Sequence, residues 1–213
     1  MNKLKINEIF FSIQGESSFA GLPFIFIRLT GCPLRCSYCD TRYAYDQGEE
    51  MTLDQILCSV ASFPCLHVML TGGEPLAQNC RELIQTMLDR GYTVVVETSG
   101  AIPLSDFPKK AHYIADIKTP SSGMQDKMYP LLLKEITKKD EIKFVIGSRE
   151  DYEYAKSIIL ENSLWEKTNL LISCVFGTIE PRELVKWVLS DGLKVRFQLQ
   201  LHKYIWGPDQ KGV

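Results

Sequence analysis

Short apolar runs alternate with longer amphipathic stretches along most of the chain, and polar or glycine-rich turns separate them. The short runs predict strands and the amphipathic stretches predict helices, because side chains repeat differently in the two structures. Strands are predicted over residues 24–29, 67–70, 93–96, 113–115, 142–146, 170–175 and 195–199. Helices are predicted over residues 53–62, 80–90, 128–137, 151–160 and 182–189, the first with Thr52 as its N-cap and the second closed by Gly91. Strand, loop and helix repeated about six times predict an α/β protein with a mostly parallel sheet, curled or open.

Polar and glycine-rich segments follow three of the predicted strands, at residues 71–75 (TGGEP), 97–100 (ETSG) and 116–120 (DIKTP). Each segment alone is a weak signal, since a Gly-Gly pair usually marks a tight turn. In parallel α/β folds, however, the loops after the strands carry the chemistry. Gly72 and Gly73 lack a Cβ and would let backbone carbonyls approach a ligand ammonium, while Glu74 would either add charge or hold the turn. The three segments are therefore predicted to face one cavity.

Composition and charge narrow the class of protein. With 213 residues, 45% of them hydrophobic and 23% charged, the chain is expected to form one domain over residues 1–213. A formal charge of −2 does not indicate a basic surface that would bind nucleic acid or an anionic membrane. No apolar run approaches the roughly 20 residues that span a bilayer. Seven cysteines, an odd number, without an export signal predict free thiols in a cytoplasmic protein.

Three of these cysteines, Cys32, Cys36 and Cys39, lie within eight residues of one another, shortly after the first predicted strand. Thiolates crowded in this way favour an iron–sulfur cluster or zinc. A structural zinc site takes four protein ligands, whereas three thiolates on a cubane leave one iron open for another ligand. The zinc alternative needs a fourth ligand, for which the candidates are Cys58, Cys65 and His67. Three thiolates therefore favour a reactive cluster.

The cysteine loop after a first strand, followed by Gly-Gly-Glu-Pro at the next strand end, resembles the radical S-adenosylmethionine (SAM) superfamily. The resemblance implies a partial (β/α)6-type barrel of mostly parallel strands with short N- and C-terminal additions. It also implies a 4Fe–4S cluster whose open iron is chelated by SAM and whose electron cleaves SAM to a 5′-deoxyadenosyl radical. The residues expected near SAM are Ser37, Tyr38, Gly72, Gly73, Glu74, Ser99, Asp116 and Lys118, with the backbone of residues 174–176 near the adenine.

The two ends of the chain narrow the resemblance. Residues 11–17 read FSIQGES and residues 200–207 read QLHKYIWG. Together with Arg28 and the step Cys39-Asp40-Thr41, they resemble the 7-carboxy-7-deazaguanine synthase family, in which glycine usually takes the position of Ser17. The resemblance implies conversion of 6-carboxy-5,6,7,8-tetrahydropterin to 7-carboxy-7-deazaguanine with loss of ammonia, in queuosine and 7-deazapurine biosynthesis. SAM would act as a reusable cofactor.

A pterin substrate requires particular hydrogen-bond donors and acceptors in its pocket. Its carboxylate requires a fork of donors, which Arg28 would supply, and its amino and amide edge requires acceptors. The resemblance implies Mg²⁺ with Thr41 as its protein ligand, since Mg²⁺ keeps waters and takes further oxygens from a substrate. Otherwise Thr41 caps a helix. The remaining residues expected to contact substrate are Ile13, Gln14, Gly15, Glu16, Thr71, Glu97, His202 and Val213, the last through its terminal carboxylate.

Two other functions fit parts of the sequence. An activase that installs a glycyl radical on a partner enzyme would share the cysteine loop, but it would not need the two chain ends. A non-enzymatic zinc-binding module would be colourless and would have no use for SAM. For the synthase, the resemblance implies a homodimer and a flavodoxin-like electron donor, with no nucleic-acid or membrane partner.

Overall fold

The strands of residues 3–213, the part of the chain that the computed structural model describes, form one continuous sheet. They are β1 (Lys3–Ile13), β2 (Pro23–Leu29), β3 (Glu49–Thr52), β4 (His67–Gly72), β5 (Thr93–Thr98), β6 (His112–Ile117), β7 (Glu141–Ile146), β8 (Asn169–Cys174) and β9 (Arg196–Phe197). Their order is β3-β1-β2-β4-β5-β6-β7-β8-β9. Neighbours from β2 onward are parallel, whereas β1 is antiparallel to both β2 and β3. With β3 and β9 as free edges, the sheet is a partial barrel, which confirms the predicted fold class.

The helices are α1 (Leu53–Ala61), α2 (Arg81–Asp89), α3 (Leu132–Glu135), α4 (Arg149–Glu161), α5 (Pro181–Asp191) and α6 (Leu201–Ile205). The predicted N-cap of α1 is confirmed, because Thr52 Oγ1 accepts a hydrogen bond from Gln55 N while the Gln55 side chain accepts one from Thr52 N. Gly91 follows α2 with a φ of 85°, a conformation that favours glycine. None of the helices within residues 3–213 has the length and apolar character that a membrane-spanning segment requires.

Two of the predicted elements are shorter than expected. The helix predicted over residues 128–137 is reduced to α3, because Pro130 cannot continue a helix and disfavours helical backbone in the residue before it. The strand predicted over residues 195–199 is reduced to β9, which has no neighbour on its outer side and turns quickly toward α6. No helix links β5 to β6 in the described chain, where Pro103 and Pro108 interrupt the connection.

The inside of the barrel holds an apolar layer made by Phe24, Met69, Val95, Ile114 and Leu171, with Phe19 and Phe26 packed against it. Side chains two positions apart in a strand point to the same face. The residues two positions beyond several members of this layer are polar, and they line a cavity at the carboxyl end of the sheet: Arg28 after Phe26, Thr71 after Met69, Glu97 after Val95 and Asp116 after Ile114. The alternation of side chains along the strands therefore places these polar residues next to the apolar layer, on the same face of the sheet.

The connection between β1 and β2 closes the other end of the barrel. Phe19 packs edge-on against Phe24 and His112, with ring centroids 5.5 and 5.1 Å apart, and Ser18 N donates to the buried carboxylate of Glu141. Ser17 in this connection has a φ of 69°, in the left-handed region that favours glycine. The glycine usual at this position in the resembling family fits that conformation, and this chain adopts it with a serine.

Candidate active site

A cavity of about 560 Å³ opens at the carboxyl ends of the parallel strands. It brings together almost every residue that the sequence singled out. The predicted residues on its wall are Ile13, Gln14, Gly15, Glu16, Arg28, Cys32, Cys36, Tyr38, Cys39, Thr41, Thr71, Gly72, Gly73, Glu97, Ser99, Asp116, Lys118, His202 and Val213. Residues 174–176, predicted near adenine, also line it. Ser37 and Glu74 do not.

The cysteine loop contributes three free thiols to one side of the cavity. Burial raises the pKa of Cys32, and negative charge on Glu74, Cys36 and Cys39 raises it further. Burial also raises the pKa of Cys36, while the nearby Lys118 opposes that shift. Metal binding is therefore the means by which these thiols would become thiolates.

The donor set of the loop, three thiols, fits a cluster better than a single zinc ion. Within residues 3–213, no three or more Cys, His, Asp or Glu side chains are grouped closely enough to hold one metal ion. A zinc ion requires its ligand atoms around one centre, whereas a cubane takes one thiolate on each of three irons. Cys32, Cys36 and Cys39 are free thiols that all line the cavity, which supplies one thiolate for each of three irons.

Gly72 and Gly73 permit close contact between the end of β4 and the start of the cysteine loop. Gly72 has a φ of 139°, and a Cβ on it would overlap the backbone of Leu29. A Cβ on Gly73 would overlap Gly31 O and press on Cys32. Glu74 N donates to Gly31 O at 2.7 Å. The pair is thus needed for close approach of the β4 end to the start of the cysteine loop, in addition to any approach of a ligand.

Glu74 lies behind the wall and is fully buried. Its Oε1 accepts hydrogen bonds from Leu76 N at 3.0 Å and Thr98 Oγ1 at 3.0 Å, and its Oε2 accepts from Ser99 N at 2.6 Å and from Ser99 Oγ. Burial raises the pKa of Glu74, and these donors oppose the shift. Of the two roles that the sequence left open, these contacts favour holding the turn, and they position Ser99 at the cavity.

Ser37 has a comparable supporting position. Its Oγ donates to Ser121 O at 2.5 Å and its N donates to Ser122 O at 3.1 Å, so it ties the cysteine loop to the segment after β6. Its neighbour Tyr38 faces the cavity, with its hydroxyl 3.5 Å from Thr119 Oγ1. The Tyr38 ring therefore lines the cavity, while the Ser37 side chain is hydrogen-bonded to the segment after β6.

Arg28 is held by a set of contacts that the sequence did not reveal. Its Nε donates to Glu8 Oε1 at 2.6 Å, and Tyr43 OH donates to the same oxygen at 3.0 Å. The guanidinium carbon lies 5.8 Å from the Phe10 ring centre and 5.7 Å from that of Tyr43. Because Glu8 occupies Nε, the two terminal nitrogens of the fork are left for an anion in the cavity.

A partly buried ion triplet also lines the cavity. Lys143 Nζ is 3.1 Å from Glu16 Oε2 and also pairs with Glu97 Oε1. Burial alone would raise the pKa of Glu16, but Lys143 and a hydrogen bond from Gln200 bring it below its usual range. Burial raises the pKa of Glu97, while the two carboxylates raise the pKa of Lys143 well above its usual value despite burial. Lys143 is thus firmly cationic.

The C-terminal segment reaches this triplet. A Cβ on Gly15 would overlap His202 Nδ1, and Leu201 N donates to Gly15 O at 3.0 Å, so the glycine permits α6 to dock here. Burial lowers the pKa of His202, although the nearby Glu16 opposes the shift. His202 is therefore predominantly neutral at pH 7 and can donate from one ring nitrogen and accept at the other.

The tail of the cysteine loop is also tied to α6. Lys203 Nζ donates to Asp40 Oδ2 at 2.8 Å, and Thr41 Oγ1 donates to Asp40 Oδ1 at 2.9 Å. Thr41 precedes a single turn of 3₁₀-helix, but its side chain makes no capping hydrogen bond there. The alternative function of Thr41 as a helix cap is therefore not supported, and its hydroxyl stands at the cavity with Asp40 fixing its orientation.

Sequence reasoning missed four supporting residues: Glu8, Lys143, Gln200 and Lys203. Lys143 carried a usable signal, because it is a lone cation within the otherwise apolar run Ile142–Ile146 of β7. The contacts of Glu8 and Lys203 join parts of the chain far apart in sequence, which local patterns do not show.

The chain's class follows from this barrel and its three-cysteine loop. The sequence model described as the radical SAM superfamily matches residues 26–159, which include the loop and most of the parallel strands. The fold is also similar to a crystal structure of QueE from Escherichia coli, with a TM-score of 0.76 and 22% sequence identity over 92% of this chain and 94% of that one. Membership of the superfamily implies a 4Fe–4S cluster and SAM as cofactors.

Relatives of similar length refine that class. A 7-carboxy-7-deazaguanine synthase from Chlorobaculum tepidum is 46% identical, covering 99% of this chain and 97% of that protein. Another from Koribacter versatilis is 42% identical, covering 99% and 100%. The chain belongs to the 7-carboxy-7-deazaguanine synthase family.

Proposed function

We propose that this chain catalyses the radical-mediated ring contraction of 6-carboxy-5,6,7,8-tetrahydropterin to 7-carboxy-7-deazaguanine with release of ammonia. The observation that carries the proposal is the composition of one cavity. It joins the three-cysteine loop, the glycine-rich strand ends, residues 13–16 and the C-terminal segment, with the Arg28 fork and the Glu16–Glu97 pair on its wall. An activase acting on a protein loop would have no need for that combination.

The cluster and SAM would supply, when bound, a radical able to remove hydrogen from carbon. The chain's own residues bind and orient. Arg28, held by Glu8, would take the substrate carboxylate, and Glu16 and Glu97 would accept hydrogen bonds from the amino and amide edge. His202 would add a ring hydrogen bond beside Glu16. The apolar floor made by the inner layer of the barrel would exclude water from one side of the ring.

A magnesium ion is proposed at Thr41. A single hydroxyl is a poor site by itself, but Mg²⁺ keeps waters and takes oxygens from substrate. The Thr41 hydroxyl and the Asp40 carboxylate both line the cavity, and they are hydrogen-bonded to each other. Reorientation of that hydroxyl toward the ion would leave Asp40 paired with Lys203.

The proposed partners follow from the family resemblance. They are a flavodoxin-like electron donor and a second copy of the chain. Tyr204, Ile205 and Trp206 are exposed in and just after α6, which supports association of two copies through this segment. All seven cysteines are unpaired, which supports a reducing compartment such as the cytoplasm. Light scattering of the eluting protein would distinguish a dimer from a monomer.

The test of the proposed function is product formation under anaerobic conditions. Protein with a reconstituted cluster is incubated with carboxytetrahydropterin, SAM, Mg²⁺ and a low-potential reductant, and 7-carboxy-7-deazaguanine is measured by mass spectrometry. Cys36→Ala should abolish both the cluster absorbance near 400 nm and the product. Cys58→Ala is the matched control, because Cys58 is exposed on α1 away from the cavity. A loaded wild-type protein that forms no product would refute the proposal.

A further inference from the structure

Four cations on the cavity wall pair with carboxylates, and one of the four pairs with two carboxylates. Three cations each pair with a single carboxylate: Arg28 with Glu8, Lys118 with Asp116, and Lys203 with Asp40. Lys143 instead bridges Glu16 and Glu97. The Glu16–Lys143–Glu97 triplet therefore leaves one negative charge unbalanced in a partly buried position.

The hydrogen bonds within the triplet show where its spare acceptor lies. Glu16 is engaged on both oxygens, with Gln200 Nε2 donating to Oε1 at 2.9 Å and Lys143 pairing with Oε2 at 3.1 Å. Glu97 is engaged through Oε1 alone, and no residue within 3–213 donates to its Oε2. The Glu97 side chain is 28% exposed, and that exposure is to the cavity. A carboxylate can accept about four hydrogen bonds, so this position favours a ligand rich in donors.

We propose that Lys143 is a positioning residue that holds Glu16 and Glu97 as a spaced pair of acceptors, and that the uncompensated charge of the triplet selects a ring edge carrying several N–H donors. The inference rests on the proposed function and specifies how the site would distinguish the 2-amino-4-oxo ring of the pterin from a 2,4-dioxo ring. In the dioxo ring a carbonyl oxygen replaces the amino group and would face a carboxylate oxygen. A site built around hydrogen bonds rejects such an analogue strongly, because its buried polar groups are left unpaired.

Lys143 is suited to this task by its position on β7. Its side chain is only 7% exposed and pairs with one oxygen of each carboxylate, which leaves Glu97 Oε2 for the ligand. Without the lysine, two carboxylates would face each other in an enclosed space, and one of them would take up a proton to relieve the repulsion. A protonated carboxyl would present a donor where the substrate also presents one.

The first test is Lys143→Gln in the cluster-loaded protein. The KM for carboxytetrahydropterin should rise at least tenfold, with a smaller effect on kcat and with the dissociation constant of SAM changed less than twofold. Preference for the pterin over the matching 2,4-dioxo analogue, measured as inhibition of turnover, should fall at least tenfold. Lys139→Gln is the matched control, because Lys139 pairs with Asp140 outside the cavity and its loss should alter neither value.

Glu97→Gln is a second test variant, and it keeps the inference testable if Lys143→Gln does not fold. It leaves Lys143 paired one-to-one with Glu16, so preference for the pterin should fall by a similar factor. The double variant should lose little more than either single variant, because Lys143 acts through Glu97. An unchanged preference in Glu97→Gln, multiplicative losses in the double variant, or a loss of SAM affinity as large as the loss of pterin affinity would each overturn the inference. Failure of the wild type to bind the pterin would instead refute the proposed function.

Discussion

Glu74 is buried at the end of β4, and its replacement by alanine is expected to destabilise the fold rather than remove a contact with SAM. Its carboxylate accepts from two backbone N–H groups, Leu76 N at 3.0 Å and Ser99 N at 2.6 Å, and from the Thr98 hydroxyl at 2.9 Å. Alanine would leave both N–H groups without a partner in a buried position. Leu76, Thr98 and Ser99, which donate to Glu74, support the turn after β4 that positions the cavity wall.

The magnitude follows from those two donors. Each unpaired buried group costs about 1–3 kcal/mol, which gives a total of about 2–6 kcal/mol. Burial raises the pKa of Glu74, so the native protein also bears a cost for keeping this carboxylate away from water, and alanine removes that cost. The expected loss in the free energy of unfolding is therefore in the lower part of the range, about 2–4 kcal/mol.

Urea unfolding of the cluster-free chain, followed by circular dichroism, measures this loss as a lower midpoint with an unchanged slope. Glu135→Ala is the matched control, because the Glu135 carboxylate also accepts from two backbone groups, Leu104 N at 2.6 Å and Ser105 N at 3.2 Å. Glu135 is only partly buried, so water can replace it and the loss should be about 1 kcal/mol. An unchanged midpoint for Glu74→Ala together with lost SAM affinity would refute this reasoning and restore Glu74 as a SAM ligand.

Three further substitutions test other contacts. Glu8→Gln should raise the KM for the carboxytetrahydropterin about tenfold while sparing SAM binding, because it removes the charge that fixes Arg28 Nε; an unchanged KM would separate Glu8 from substrate binding. Thr41→Ala should raise the Mg²⁺ concentration needed for half-maximal turnover and leave the cluster absorbance unaltered, whereas an unaltered Mg²⁺ requirement would exclude Thr41 as the ligand. Burial would raise the pKa of Asp140, but hydrogen bonds from Lys139 and other donors lower it overall. The contribution of Asp140 to stability is therefore present above about pH 4 and is lost as the pH falls through the lower pKa of the folded state. The difference in unfolding free energy between wild type and Asp140→Asn should therefore shrink below about pH 4, and a constant difference would contradict the assigned shift.

The sequence was sufficient to predict the parallel part of the sheet because its strands are apolar on both faces. β1 escaped prediction for a physical reason. The run Lys3–Ile6 alternates cleanly, but an irregularity in the pairing with β2 between Ile6 and Glu8 shifts the pattern by one residue. β3 reads Glu-Glu-Met-Thr and forms only because β1 pairs with it, so no local signal existed.

The site was predictable wherever a motif marks a strand end. The cysteine loop and the Gly72-Gly73 pair were recognised in this way, and they reach the cavity together. Supporting contacts were not predictable, because Lys143 and Glu16 are 127 positions apart in sequence and Lys203 and Asp40 are 163 apart. Glu74 was placed on the correct turn, but sequence does not show which way a buried carboxylate faces.

The central claim is that the cavity holds the cluster, SAM and a carboxytetrahydropterin together, with SAM used as a reusable cofactor. The most direct measurement is the amount of 7-carboxy-7-deazaguanine formed per SAM cleaved, with SAM supplied below the concentration of pterin and the cluster reduced anaerobically. The account predicts many product molecules for each SAM lost. Cleavage of SAM without any 7-carboxy-7-deazaguanine, by protein whose three-cysteine cluster is fully loaded, would contradict it.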